Sequence, residues 1–102
     1  MKMTTILVGK NAKHNDELCK NMSGSDYWFH ATEYPGAHVI VKGNPTEADL
    51  NYAAQLAATH SKSKEDHVSV GMCRGIDVEK PIGAPPGQVI VRNRRHFIVS
   101  KM

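Results

Sequence analysis

Apolar residues fall into short runs set apart by polar, glycine and proline stretches, and the period of each run assigns its structure. Thr4 to Val8 predicts a first strand that Gly9 ends. Asn11 then suits the N-cap of a helix from about Ala12 to Asn21, whose Ala12, Leu18 and Cys19 form a thin apolar face. Tyr27-Trp28-Phe29-His30 and Ala37-His38-Val39-Ile40-Val41 are aromatic and β-branched runs with Pro35-Gly36 between them, the pattern of a hairpin. If its arms pair symmetrically about Tyr34, Trp28 stands opposite Ile40 and His30 opposite His38, so two imidazoles share one face.

After the break at Gly43, Asn44 as N-cap, Pro45 at the first helical position and Glu47 at the third predict a helix start. Leu50, Ala53, Ala54 and Ala57 recur at helical spacing, and the helix ends near Thr59 to Lys64. His67 to Val70 with Met72-Cys73 predicts a third sheet segment, and Lys80 to Gly87 is a rigid loop rich in proline and glycine. Gln88 to Val91 and His96 to Val99 fit a terminal hairpin with Arg92-Asn93-Arg94-Arg95 at its turn. The expected order is β-α-β-β-α-β-β-β: one α+β domain over residues 1–102, a mostly antiparallel sheet with two helices, the longer one packed on it.

A chain of 102 residues has room for one core, and 40% apolar against 23% charged residues excludes a disordered segment. Ile6-Leu7-Val8 is too short for a signal-peptide core or a membrane span, so the expectation is a cytoplasmic protein with no membrane partner. Cys19 and Cys73 stand far apart and outside any CxxC pattern, which argues for ordinary thiols and against a zinc or other metal site. The net charge of +3 favours an anionic partner, with nucleic acid foremost.

Several residues carry candidate chemistry. His30 and His38 suit contact with phosphate or base, general acid/base work on RNA, or the plainer role of satisfied sheet residues. Lys10 and Lys13 flank a helix start where an anion is favoured, although no GxxxxGK[ST] loop occurs and no cofactor is implied. Arg92, Arg94 and Arg95 suit phosphate clamping and base stacking. Trp28 is either a stacking platform or part of the core. An RNA-binding module, an RNA-processing enzyme built on His30 and His38, and a protein-interaction module all remain open on these residues alone.

Val8-Gly9-Lys10-Asn11-Ala12-Lys13 with Asn15-Asp16-Glu17-Leu18 resembles the opening signature of the NFACT-R domain. Asp26 to Ala31 with Pro35-Gly36-Ala37-His38-Val39 resembles its WFHA and PGSHV segments. Ala53-Ala54-Gln55-Leu56-Ala57-Ala58 through Ser61-Lys62 resembles its AA-LAA-SK helix, and Lys80-Pro81, Gly83-Ala84 and Pro86-Gly87-Gln88-Val89 its KP-GA-PG-V loop. Four motifs in order span nearly the whole chain, whereas Gly71-Met72-Cys73 departs from the family's usual Asp-Tyr-Thr. The resemblance implies an RNA-binding module for structured RNA such as tRNA or ribosomal RNA, found in ribosome-associated quality-control factors, with stand-alone copies in tRNA metabolism or modification. The ribosome or a tRNA-modification protein is then an implied partner. These 102 residues hold no second domain, helix-hairpin-helix or coiled coil, so ribosome rescue and tail synthesis are not expected of them. Mapped by matching positions, the RNA-facing residues are Lys10, Asn11, Lys13, Trp28, His30, His38, Ser61, Lys62 and Lys80, to which the arginine cluster adds Arg92, Arg94 and Arg95.

Overall fold

A computed structural model describes residues 3–101. Its elements are β1 (Thr5–Val8), α1 (Ala12–Lys20), β2 (Tyr27–Ala31), β3 (Val39–Lys42), α2 (Glu47–Thr59), β4 (His67–Arg74), β5 (Val78–Glu79), β6 (Ile90–Val91) and β7 (Arg95–Ser100). This is the α+β order read from the sequence, with one two-residue strand, β5, added after a 3-10 turn at Gly75–Asp77. Five strands form an antiparallel sheet in the order β1-β3-β2-β4-β7, and β5 and β6 make a separate two-stranded ribbon.

Period-two alternation gives the sheet two apolar faces, each with its own cover. Phe29, Ala31, Val39, Val41, Val68 and Val70 point toward α2, which meets them with Ala53, Ala54, Ala57 and Ala58. These methyl-sized side chains let the helix lie close on the sheet. Trp28, Ile40 and Cys73 point the other way, against Leu18 and Cys19 of α1, against Val78 and Val91 of the ribbon and against Val89 just before it. The sheet is therefore a middle layer, and the face that carries Trp28, His30 and His38 is roofed only in part.

Two local expectations are corrected. The N-cap of α2 is Thr46, not Asn44: the Thr46 hydroxyl accepts from the Asp49 N–H at 3.2 Å and the Asp49 carboxylate accepts from the Thr46 N–H at 2.9 Å. This reciprocal box satisfies two helix-end donors, and Pro45 falls one residue before the cap. The terminal hairpin does not form. β6 pairs with β5, Val91 lying opposite Val78, while β7 pairs with β4, so Arg92 to Arg94 cross from the ribbon to the main sheet. Each strand found a longer-range partner that extends a layer already present. Helix α1 starts as expected, with Asn11 Oδ1 accepting from the His14 N–H at 2.8 Å.

Candidate nucleic-acid interface

The β2–β3 register places Trp28 opposite Ile40, and continuing it beyond β3 brings His30 and His38 together with ring centroids 5.0 Å apart. Trp28 stacks on His30 at 5.7 Å and meets His38 edge-on at 5.5 Å. Its indole N–H donates to His38 Nδ1 at 3.3 Å, and Cys19 Sγ lies 3.3 Å from the same nitrogen. An indole N–H can only donate, so His38 Nδ1 holds a lone pair and the neutral ring carries its proton on Nε2. Behind the pair, Asn15 Oδ1 accepts from the His38 backbone N–H at 3.1 Å. A methyl on Gly9 would collide with that amide, so the glycine after β1 makes room for the residue that holds the histidine loop.

Burial, then the neighbouring His30, lowers the pKa of His38 to about 4. His30 is lowered too, by burial first and then by the Arg94 guanidinium. Both rings are therefore neutral near pH 7, a state suited to hydrogen bonding but lacking the imidazolium that an acid–base pair needs. Burial pushes Cys19 and Cys73 up to about 11, which leaves both as protonated thiols and weak nucleophiles. No group of three or more histidine, cysteine or acidic side chains among the described residues could hold a metal ion.

In front of the imidazoles opens a cleft of about 900 Å³, lined by the end of β1, the β2–β3 loop, the segment after α2 and the Pro86–Val89 stretch. Lys10, Lys62 and Arg94 reach it from three separate parts of the chain. None of the three cations is in an ion pair among the described residues. Arg94 gets there because Gly71, directly across the β2–β4 ladder from His30, has no side chain; a methyl there would overlap the arginine stem at Cγ and Cδ. Lys62 is placed by its backbone, whose N–H donates to Pro35 O at 2.8 Å beside the Gly36–Ser61 bridge. The result is a polar floor with an unpaired cationic rim, which can neutralise phosphates at the edge and offer hydrogen bonds within.

Of the residues expected at the interface, Lys10, Asn11, His30, His38, Lys62 and Arg94 line this cleft. Trp28 also borders it but is only 1% exposed, which favours the core alternative over the stacking one: its ring is covered by His30 and its N–H is committed to His38. Lys80 is exposed, but its donors are engaged within the chain. Its ammonium donates to Asp16 at 3.0 Å, Pro85 O at 2.5 Å and Gln88 O at 2.9 Å, which pins the Pro81–Gly87 loop onto α1 and leaves no N–H for RNA. Ser61 gives its hydroxyl proton to Ala58 O at 2.7 Å, and Arg92 pairs with Glu79 at 2.7 Å. Lys13 and Arg95 are exposed but lie outside the cleft lining. Glu33, Tyr34, His60 and Gln88 line the cleft and were not anticipated; the turn signal at Pro35-Gly36 was the one cue to the first two.

Residues 1–93 match the family described as NFACT protein RNA binding domain. The chain is 41% identical over 101 residues to the Rqc2 homolog RqcH of Streptococcus suis (strain 05ZYH33), covering 95% of this chain and 18% of that protein. It is 40% identical over 99 residues to the Rqc2 homolog RqcH of Bacillus subtilis (strain 168), covering 94% of this chain and 17% of that one. It thus spans less than a fifth of the length of the curated relatives it matches. A solved structure of the C-terminal part of the fibronectin/fibrinogen-binding protein from Streptococcus suis superposes with a TM-score of 0.90 at 38% identity, over 97% of this chain and 41% of that one.

Proposed function

The chain belongs to the NFACT protein RNA-binding domain family, and we propose that its Lys10–Lys62–Arg94 cleft holds structured RNA, such as tRNA or ribosomal RNA, in translation quality control. The observation that carries this reading is the convergence of three cations, none in an ion pair among the described residues, on a cleft floored by two neutral imidazoles. Lysine and arginine position a phosphate backbone, and the half-buried His30, with exposed polar groups of the rim, meets sugar and base atoms, while His38, only 3% exposed, supports it from behind. The family and the ribosome-linked relatives favour a cytoplasmic role beside the ribosome or a tRNA-modification protein; no helix among the described residues is long and apolar enough to cross a membrane.

The same geometry favours binding over catalysis, because phosphodiester cleavage by paired imidazoles needs one of them protonated and both are held neutral. The test is a titration with folded tRNA, single-stranded RNA and duplex DNA at low and near-physiological salt, with the RNA inspected afterwards for cleavage. A preference for folded RNA that survives the higher salt, with the RNA intact, is expected. Equal and salt-labile binding to all three polyanions would refute specific RNA recognition.

A further inference from the structure

Resting on the RNA-binding reading of this cleft, we propose that its mouth is a pocket for one unpaired nucleotide, whose base stacks on Tyr34 and is read by the Glu33 carboxylate. The first support is conformational. Glu33 sits in the β2–β3 loop with φ 68, the left-handed region that glycine enters freely and that costs a side-chain-bearing residue of this kind free energy. A turn selected only for folding is served better by glycine or asparagine, so a strained glutamate points to a use for its side chain.

The second support is electrostatic. Glu33 is the one carboxylate in a lining that includes Lys10, Lys62 and Arg94, and it has neither an ion pair nor a hydrogen bond among the described residues. A lone carboxylate repels a phosphate backbone and weakens RNA binding unless the ligand supplies donors to it. Bases supply them when unpaired. Guanine presents its N1–H and N2 amino group side by side, matching the two oxygens of a carboxylate, whereas uracil offers one imino N–H between two carbonyls. In a duplex these edges are occupied, so the site selects unpaired guanine first and uracil last.

The third support is the neighbouring aromatic ring. With Trp28 buried, Tyr34 is the larger of two exposed aromatic side chains of the lining, the other being His60; it is 36% exposed and adjacent to Glu33. Stacking on such a ring accepts any base and leaves the choice to the carboxylate. A volume of about 900 Å³ lies within the range of clefts that take small ligands.

The experiment measures the affinity of short oligouridylate, and of the same strand with one central guanosine, for the wild type and for Glu33→Gln, Glu33→Gly, Tyr34→Ala and Lys62→Ala. The wild type is expected to prefer the guanosine strand about tenfold. Glu33→Gln should abolish that preference while holding oligouridylate as well as the wild type or better, and Glu33→Gly should do the same with a raised melting temperature. Tyr34→Ala should weaken both strands alike, as should Lys62→Ala, with the preference kept. Equal wild-type affinity for the two strands, or a Glu33→Gln variant that keeps the preference, overturns the nucleotide pocket yet leaves RNA binding at the cleft standing. Failure of both strands to bind likewise overturns the pocket, whereas failure of folded tRNA to bind the wild type, or indifference of tRNA binding to Lys62→Ala, overturns the underlying reading as well.

Discussion

Replacing Gly71 with alanine separates the folding role of β4 from the placement of Arg94. Gly71 is buried, faces His30 across the ladder, and a Cβ built on it meets Arg94 Cγ at 2.9 Å and Cδ closer still. Arg94 is exposed and its stem is flexible, so the arginine moves and the strand stays. Alanine in a strand interior is favoured over glycine by about 0.5–1 kcal/mol, which offsets the crowding, and overall stability should change by less than about 1 kcal/mol. RNA binding should suffer, because the displaced guanidinium no longer reaches the rim. Loss of one exposed phosphate contact is worth about 1 kcal/mol, or roughly fivefold in affinity, and it should flatten the dependence of log K on log salt by about 0.7 for a single strand. His30 supplies an independent readout: with the nearby cation gone, its depressed pKa should rise toward the ordinary value, followed by NMR titration. Arg94→Ala should reproduce both effects, and the double variant should bind no worse than Arg94→Ala alone. Unchanged RNA affinity in Gly71→Ala, or additive losses in the double variant, would refute the placement argument.

Three further outcomes follow from the same interior. Asn15→Ala strands the buried His38 N–H and should cost about 1–3 kcal/mol in urea unfolding, whereas an unaffected midpoint would show that the amide does not hold the loop. Because His38 has a folded pKa of about 4, below the ordinary histidine value of 6.5, its contribution is complete above pH 6.5 and is lost as pH falls toward 4. Stability should decline by about 3 kcal/mol across that window, and a flat profile would contradict the neutral tautomer. Lys80→Ala frees the Pro81–Gly87 loop from Asp16 and should speed amide exchange at Gly87, whose N–H donates to Asp16 at 2.8 Å, while leaving the salt slope of RNA binding unchanged; a flatter slope would return Lys80 to the interface.

What the sequence made legible was local or strictly periodic. Alternation about Tyr34 was enough to bring His30 to His38, and Asn11 announced α1 because a cap acts within three residues. The start of α2 was ambiguous, since Asn44 and Thr46 are both good caps two residues apart, and the Asp49 carboxylate chose between them. The outcome of the arginine cluster depended on distant partners. Glu79 took Arg92, and the missing side chain at Gly71 let Arg94 alone into the cleft. Lys80 was lost to Asp16, a residue 64 positions earlier, and Trp28 was buried because α1 and the β5–β6 ribbon cover a sheet face whose second layer no period announces.

The central claim, that Lys10, Lys62 and Arg94 form the RNA-binding rim, is tested most directly by titrating folded tRNA into the wild type and into a variant with all three changed to glutamine, at about 50 mM and 200 mM salt. The variant is expected to bind at least about tenfold more weakly at the lower salt, with a salt slope flatter by about 2. Wild-type affinity and slope in that variant, with the loss appearing instead when Lys13, Arg92 and Arg95 are changed, would place the RNA on another surface and contradict the account.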